Sequence, residues 1–288
     1  PADSQGGKSE GLPKSNSSVA GSHFQVEMAF QQALFLPENG GMTVQLVLYP
    51  MTAGETSFQI FSLPGDKANG KGGWTLHASG KIRLINGTRP TQGRPSLREL
   101  QTSCQEEVPA SELYQRLRES GLQYGPAFQG MKRLWRGDGE ALGQIELPHS
   151  LASEASGYSV HPTLLDACMQ VMAAALPDQR ADAAEEGTYL PSRVTGLRVY
   201  RRSGSRLWSH AILRTGAGLE TNTLEGDVRL FDESGQVVAE VIGLRLMRLG
   251  GETKRATPVN LNDWLYRLEW QPRACLLYTS DAADDLTR

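Results

Sequence analysis

The chain has 288 residues, 39% hydrophobic and 21% charged, with a formal net charge of -3. That is the composition of an ordinary globular chain with apolar material for one large or two small cores, and its slight acidity argues against nucleic acid as a partner. No apolar run is long enough to span a bilayer and the N-terminal residues have no secretory h-region, while the three cysteines, Cys104, Cys168 and Cys275, are too scattered for a disulfide framework or a zinc site, which points to a reducing cytoplasm.

Residues 1–22 are rich in Gly, Ser, Lys, Asn and Pro, lack apolar periodicity, and read as a flexible segment without a site. From Phe24 the pattern alternates. Phe24, Val26, Met28 and Phe30 fall on one strand face, and Phe35 and Leu36 lead to the turn Glu38-Asn39-Gly40-Gly41. Residues 43–49, 57–63 and 74–84 read as three more strands, so residues 23–85 form an antiparallel meander with no helix. Residues 86–108, broken by Asn86-Gly87, Arg89-Pro90 and Gly93-Arg94-Pro95, read as a linker. Ser111 is then expected to cap a short amphipathic helix that turns Leu113, Tyr114 and Leu117 inward and ends at Gly121.

The segment Tyr124-Gly125-Pro126-Ala127-Phe128-Gln129-Gly130 follows, with a tight backbone path at Gly125 and Pro126, a hydroxyl at Tyr124 and an apolar wall at Phe128. Residues 131–136 and 140–147 predict a hairpin across Gly137-Asp138-Gly139, with Trp135 in the core. His161-Pro162-Thr163-Leu164-Leu165-Asp166-Ala167-Cys168-Met169-Gln170, continued to Leu176 and stopped by Pro177, predicts one helix, because Pro162 suits a first turn and good helix formers fill the rest. It is apolar nearly all round, the mark of a buried helix, yet carries Asp166 and Gln170 four apart on one face.

A carboxyl in such a setting loses hydration, so its pKa rises and it suits a general acid. The competing reading is a structural cap or an ion pair with an Arg from another strand, and the helix alone leaves both open. Residues 178–187 read as an acidic, solvated loop, and strands are expected over 193–201, 206–214, 226–232 and 237–248 with one face on the helix. The cluster Arg193, Arg198, Arg201, Arg202 and Arg206 reads either as plain outward strand positions or as a docking patch for an acidic partner.

A Y-G-P-x-F-Q-G segment, then H-P-x-L-L-D-A-x-x-Q, then Leu190-Pro191, in that order, resembles the dehydratase domains of modular polyketide synthases over roughly residues 24–250. The resemblance implies an α+β double hotdog, two antiparallel sheets each wrapped on a central helix, with a first hotdog over 23–85 and a second over 109–250. Asp166 is then the proton donor. Gln170 and Tyr124 hold its carboxyl or the leaving water, and Gly125, Pro126, Phe128, His161, Pro162, Leu165, Leu190 and Pro191 line the substrate's path. It implies no metal and no resident cofactor, a substrate carried on the phosphopantetheine of an acyl carrier protein, neighbouring synthase domains as partners and a homodimeric parent. Residues 251–274, with Trp264 to Pro272, resemble the exit toward the next synthase region, and residues 275–288 resemble translated sequencing-adapter sequence, outside the fold.

The chemistry implied is loss of water from a β-hydroxyacyl thioester, which needs a base at Cα and an acid at the β-hydroxyl. In the family a histidine in H-x3-G-x4-P is the base and a helix of the first hotdog follows it. Neither is found here: His23 has Glu27 and Gln32 where Gly and Pro belong, and His77, His149, His161 and His210 sit in other contexts. The first hotdog is therefore expected to be incomplete and the chain by itself inactive. Isomerase, pyran-forming and product-template domains of the same fold, or a non-catalytic scaffold, are the alternatives.

Overall fold

The computed structural model describes residues 22–36, 41–50, 54–64, 73–86, 95–176, 188–214 and 223–249. The expected turn at 38–40, the loop 178–187 and the segments 1–21 and 251–288 lie outside them. Period-2 alternation gives four strands at the start, β1 (Ser22–Phe30), β2 (Met42–Pro50), β3 (Glu55–Pro64) and β4 (Thr75–Asn86), as the pattern predicts. After them come α1 (Leu97–Ser103), β5 (Glu106–Val108), α2 (Ala110–Glu119), the hairpin β6 (Met131–Arg136) and β7 (Glu140–Glu146), and α3 (Pro162–Gln170). Four long strands close the fold: β8 (Thr188–Val199), β9 (Arg206–Leu213), β10 (Thr223–Phe231) and β11 (Val237–Leu249). All eleven strands join one antiparallel sheet in the order β2-β3-β4-β1-β8-β11-β10-β9-β7-β6-β5. The β1–β8 pairing, Phe24 opposite Val199 and Val26 opposite Leu197, welds the two halves.

The second half curls around α3. Leu164, Ala167 and Cys168 on the helix are at most 1% exposed and pack with Ile145, Leu207, Ala211, Val228, Leu230 and Val241 from the strands. Burying that much apolar surface is what holds a helix of nine residues, too short to persist in water by itself. The opposite sheet face has a smaller cluster of Leu100, Cys104, Leu142 and Phe231, edged by Trp135 and Trp208, whose rings stack at 5.6 Å. Trp135 is thus half-buried at the rim and not in the main core.

Four expectations are corrected. Residues 86–108 are not all linker: Ser96 and Glu99 form a reciprocal capping box that starts α1, and β5 pairs with β6. The N-cap of α2 is Pro109 and not Ser111, because Pro109 ends β5 and the helix begins at Ala110. Residues 162–176 are not one helix: α3 stops at Gln170 and the chain tightens into a 3-10 turn over Val171–Ala175. The strand expected from Arg193 begins earlier, at Thr188, and takes in Pro191. That proline has no N–H for the ladder, and the β8–β11 register shifts beside it.

The first half presents a different face. Alternate residues of β1–β4 put Phe24 beside Leu84, Val26 beside Ile82, and Leu46 and Leu48 beside Ile60 and Phe58, all on one side. The other side carries ion pairs, Arg83 with Glu27 and Glu55, and Lys81 with Glu55, at 2.6–2.9 Å. On the apolar side Phe24 is 60% exposed, Leu46 58% and Leu48 52%, and none of the described helices lies against it. A contiguous apolar surface of this kind binds amphiphilic dyes. The folded chain is expected to enhance anilinonaphthalene sulfonate fluorescence, and Leu46→Lys with Leu48→Lys to lower it severalfold without moving the denaturant midpoint. Unchanged fluorescence in that double variant would place the dye elsewhere.

Candidate active site

His161 opens α3 in extended conformation, and its Nδ1 accepts the Thr163 backbone N–H at 3.3 Å while standing 2.9 Å from the Thr163 hydroxyl. Accepting through Nδ1 puts the neutral ring's proton on Nε2, which is buried with no hydrogen-bond partner among the described residues, while the ring stands edge-on to Tyr158 at 5.0 Å. Pro162 occupies the first turn, where its missing N–H costs nothing. His161 is 6% exposed, so the structure gives it a capping role at the base of the helix.

One turn on, the Asp166 carboxyl accepts from Gln170 Nε2 at 2.8 Å through Oδ2. The same Nε2 donates to the Phe128 carbonyl at 3.1 Å, so both amide protons are used and the orientation of the Gln170 amide is fixed. Burial pushes the Asp166 carboxyl above the usual aspartate range, and the Gln170 bond offsets part of that rise. The Gln170 bond occupies Oδ2, and Oδ1 has no hydrogen-bond partner among the described residues. Gln170 Oε1 is buried with no partner among the described residues.

The Y-G-P-x-F-Q-G segment delivers the Phe128 carbonyl. A 3-10 turn over Pro126–Phe128 starts at Gly125, closed by Phe128 N–H on the Gly125 carbonyl at 2.9 Å, and Gln129 Nε2 ties it to the Tyr124 carbonyl at 2.7 Å. Gly125 has φ -71°, and an added Cβ would meet nothing within 4 Å, so the tight path belongs to Pro126 and not to glycine freedom. Gly130 is the residue that must be small: a Cβ there would lie 2.9 Å from the Glu146 carbonyl oxygen and 3.4 Å from the Ala167 Cβ on α3. Tyr124 is half-buried, its phenol pushed up to about 12 by burial and by the Asp166 charge.

Tyr124, Phe128, Asp166 and Gln170 are therefore brought together. Leu165 is half-buried against the same core, Pro162 and Phe128 are exposed, and Leu190 and Pro191 lie in β8 opposite Met247 and Leu246. Of the arginine cluster, Arg198 bonds Gln25, Arg201 pairs with Asp232, Arg206 with Glu233, and Arg202 donates to the Ser156 carbonyl. Those bonds commit most of the cluster to the fold itself. Two buried histidines are engaged away from α3: His77 with Ser62 and the Gln32 carbonyl, and His210 with Glu140 at 2.7 Å. Among the described residues no helix is long and apolar enough to cross a membrane, and no His/Cys/Asp/Glu group has the geometry for a metal ion. Tyr114, expected only as an inward-facing residue of α2, also belongs to this neighbourhood: its ring meets that of Tyr124 edge-on at 6.4 Å.

Residues 92–256, more than half of the chain, match the family model described as polyketide synthase dehydratase N-terminal domain. The chain belongs to the polyketide synthase dehydratase family. Polyketide synthase GfsE of Streptomyces halstedii is 31% identical over 250 residues, a match that takes in 85% of this chain and 6% of GfsE. The chain thus spans a small fraction of such relatives. Among solved structures, the dehydratase domain from the CurF module of curacin polyketide synthase is 33% identical with a TM-score of 0.69, covering 82% of this chain and 80% of that one. A CurK dehydratase described as inactive, carrying histidine replaced by phenylalanine, aligns at TM-score 0.69 and 32% identity over 82% of this chain and 79% of its own. The dehydratase neighbours bear out the antiparallel α+β hotdog architecture; here the second hotdog wraps α3 and the first has no helix among the described residues.

Proposed function

We propose that in its parent synthase this dehydratase domain removes water from a β-hydroxyacyl thioester delivered on the phosphopantetheine arm of an acyl carrier protein, with Asp166 as the acid. The carrying observation is the fixed constellation of Asp166, Gln170 and the Phe128 carbonyl on the central helix of the second hotdog and the turn beside it. Oδ1 gives its proton to the β-hydroxyl as the C–O bond breaks, so that water and not hydroxide departs, and a base takes the Cα proton. Tyr124 stands beside the same carboxyl with a phenol that stays protonated, a donor for the departing oxygen.

The base and a helix for the apolar face of β1–β4 come, in this reading, from an H-x3-G-x4-P segment that this sequence does not contain. Two observations support it: of the three buried histidines described, His77 and His210 are engaged away from α3 and the Nδ1 of His161 caps that helix, and the CurK dehydratase bears the description inactive with a histidine lost. Carrier protein, neighbouring domains, a homodimeric parent and a cytoplasmic setting belong to the same reading. Isomerase, pyran-forming and product-template relatives would use the same acid, and product analysis separates them.

The test supplies a 3-hydroxyacyl carrier-protein thioester and follows loss of water by mass spectrometry. The 288-residue chain alone is expected to give none, and the chain extended upstream through the histidine motif is expected to turn over. Elimination by the chain alone would refute the missing base. An extended, folded chain that leaves the hydroxyl in place would refute dehydration.

A further inference from the structure

Tyr114 reaches this site from α2, outside the two motifs. It is 9% exposed, and its ring packs edge-on against Tyr124 at 6.4 Å and 64°. Its Oη accepts the backbone N–H of Met131 at 3.2 Å, where β6 begins. That bond fixes the oxygen and leaves the phenolic proton to be given, since a phenol has one proton to donate and lone pairs to accept with. Among the described residues Tyr114 Oη has Met131 as its hydrogen-bond partner and no protein acceptor for its proton. Burying an O–H without an acceptor is costly, and a phenylalanine would fill the same core space without that cost. Its ring neighbour Tyr124 brings a second phenol alongside, and the Asp166 carboxyl is near enough for its charge to act on both.

On the dehydratase reading above, we propose that Tyr114 is a positioning residue of the acid site: held by Met131, it braces Tyr124 and directs its hydroxyl proton to the Asp166–Tyr124 pair, stabilising the carboxylate that remains once Asp166 has protonated the leaving hydroxyl. Gln170 serves one carboxylate oxygen; the tyrosine pair serves the other. A donor aimed at the charged form lowers a carboxyl's pKa, so removing it raises the pKa further.

The test is a carbon-13 NMR titration of the folded 288-residue chain, labelled at aspartate Cγ and tyrosine Cζ, with signals assigned through Asp166→Asn and Tyr114→Phe. In wild type the Tyr114 Cζ signal is expected to inflect at the Asp166 midpoint, and in Asp166→Asn to lose that inflection. Tyr114→Phe, which keeps the ring, is expected to raise the Asp166 midpoint by about one pH unit. A midpoint unmoved in a folded Tyr114→Phe, or a Tyr114 signal flat across the Asp166 titration in wild type, overturns the proposal. If Tyr114→Phe does not fold, the wild-type signal decides. Neither readout needs turnover, so failure here leaves the dehydratase reading standing, and failure of the water-loss assay leaves this result intact.

Discussion

Asp166→Asn, placed in a dehydratase chain that carries the upstream histidine motif, is expected to lower water elimination by about 10²- to 10⁴-fold, the span of one general acid. The substitution preserves shape and leaves a carbonyl for Gln170 to bond, so what it removes is the proton on Oδ1. The same change acts on stability with the opposite sign. Burial raises the Asp166 pKa above its unfolded value, so its favourable contribution is fully present below the unfolded pKa of about 3.9 and is lost as pH rises through the folded pKa. Asparagine has no charge to desolvate. The variant is therefore expected to match wild type in acid and to be the more stable of the two at neutral pH and above, read by urea unfolding at both ends. A variant less stable at neutral pH would mean that the carboxylate is stabilised beyond what Gln170 and the neighbouring phenols supply, and it would move Asp166 toward the structural ion-pair reading.

Much of this site was legible because its signals are local. Period-2 alternation from Phe24 to Leu84 predicted four strands that the structure shows, and the i, i+4 spacing of Asp166 and Gln170 predicted a shared face that became a 2.8 Å hydrogen bond. The capping box of Ser96 and Glu99 is equally local, but the breakers Asn86-Gly87 and Gly93-Arg94-Pro95 around it make the whole stretch read as linker. What no local pattern carries is pairing at a distance. The β1–β8 ladder joins Phe24 to Val199, and Tyr114 reaches Tyr124 only because α2 packs over β6. The arginine cluster shows the same limit from the other side: its partners, Gln25, Asp232 and Glu233, come from other strands and turns, so the sequence alone leaves the row open between outward strand positions and a docking patch.

The single-helix expectation failed for a reason that leads to the second large effect. Val171 and Met172, the first residues past α3, press into the sheet where it has no side chains. A Cβ on Gly143 would lie 2.7 Å from Val171 Cγ2, and one on Gly226 would lie 2.6 Å from Met172 Cε and 2.5 Å from the Ile212 carbonyl oxygen. Strand glycines here are notches that let the 3-10 turn come close. Gly143→Ala is expected to cost about 1–3 kcal/mol in chemical denaturation, and Gly226→Ala the upper end of that range or more. The two should differ in rescue. Gly143 is obstructed only by side chains, so adding Val171→Ala is expected to recover about 1 kcal/mol relative to additivity, whereas Met172→Ala cannot clear the Ile212 backbone from Gly226. Additivity in both pairs would mean that the sheet yields and the notches are incidental. Because Val171 follows Gln170 directly, a displaced turn also carries the Gln170 amide away from Asp166. A chain could then keep every residue of the H-P-x-L-L-D motif and still hold its acid in the wrong place.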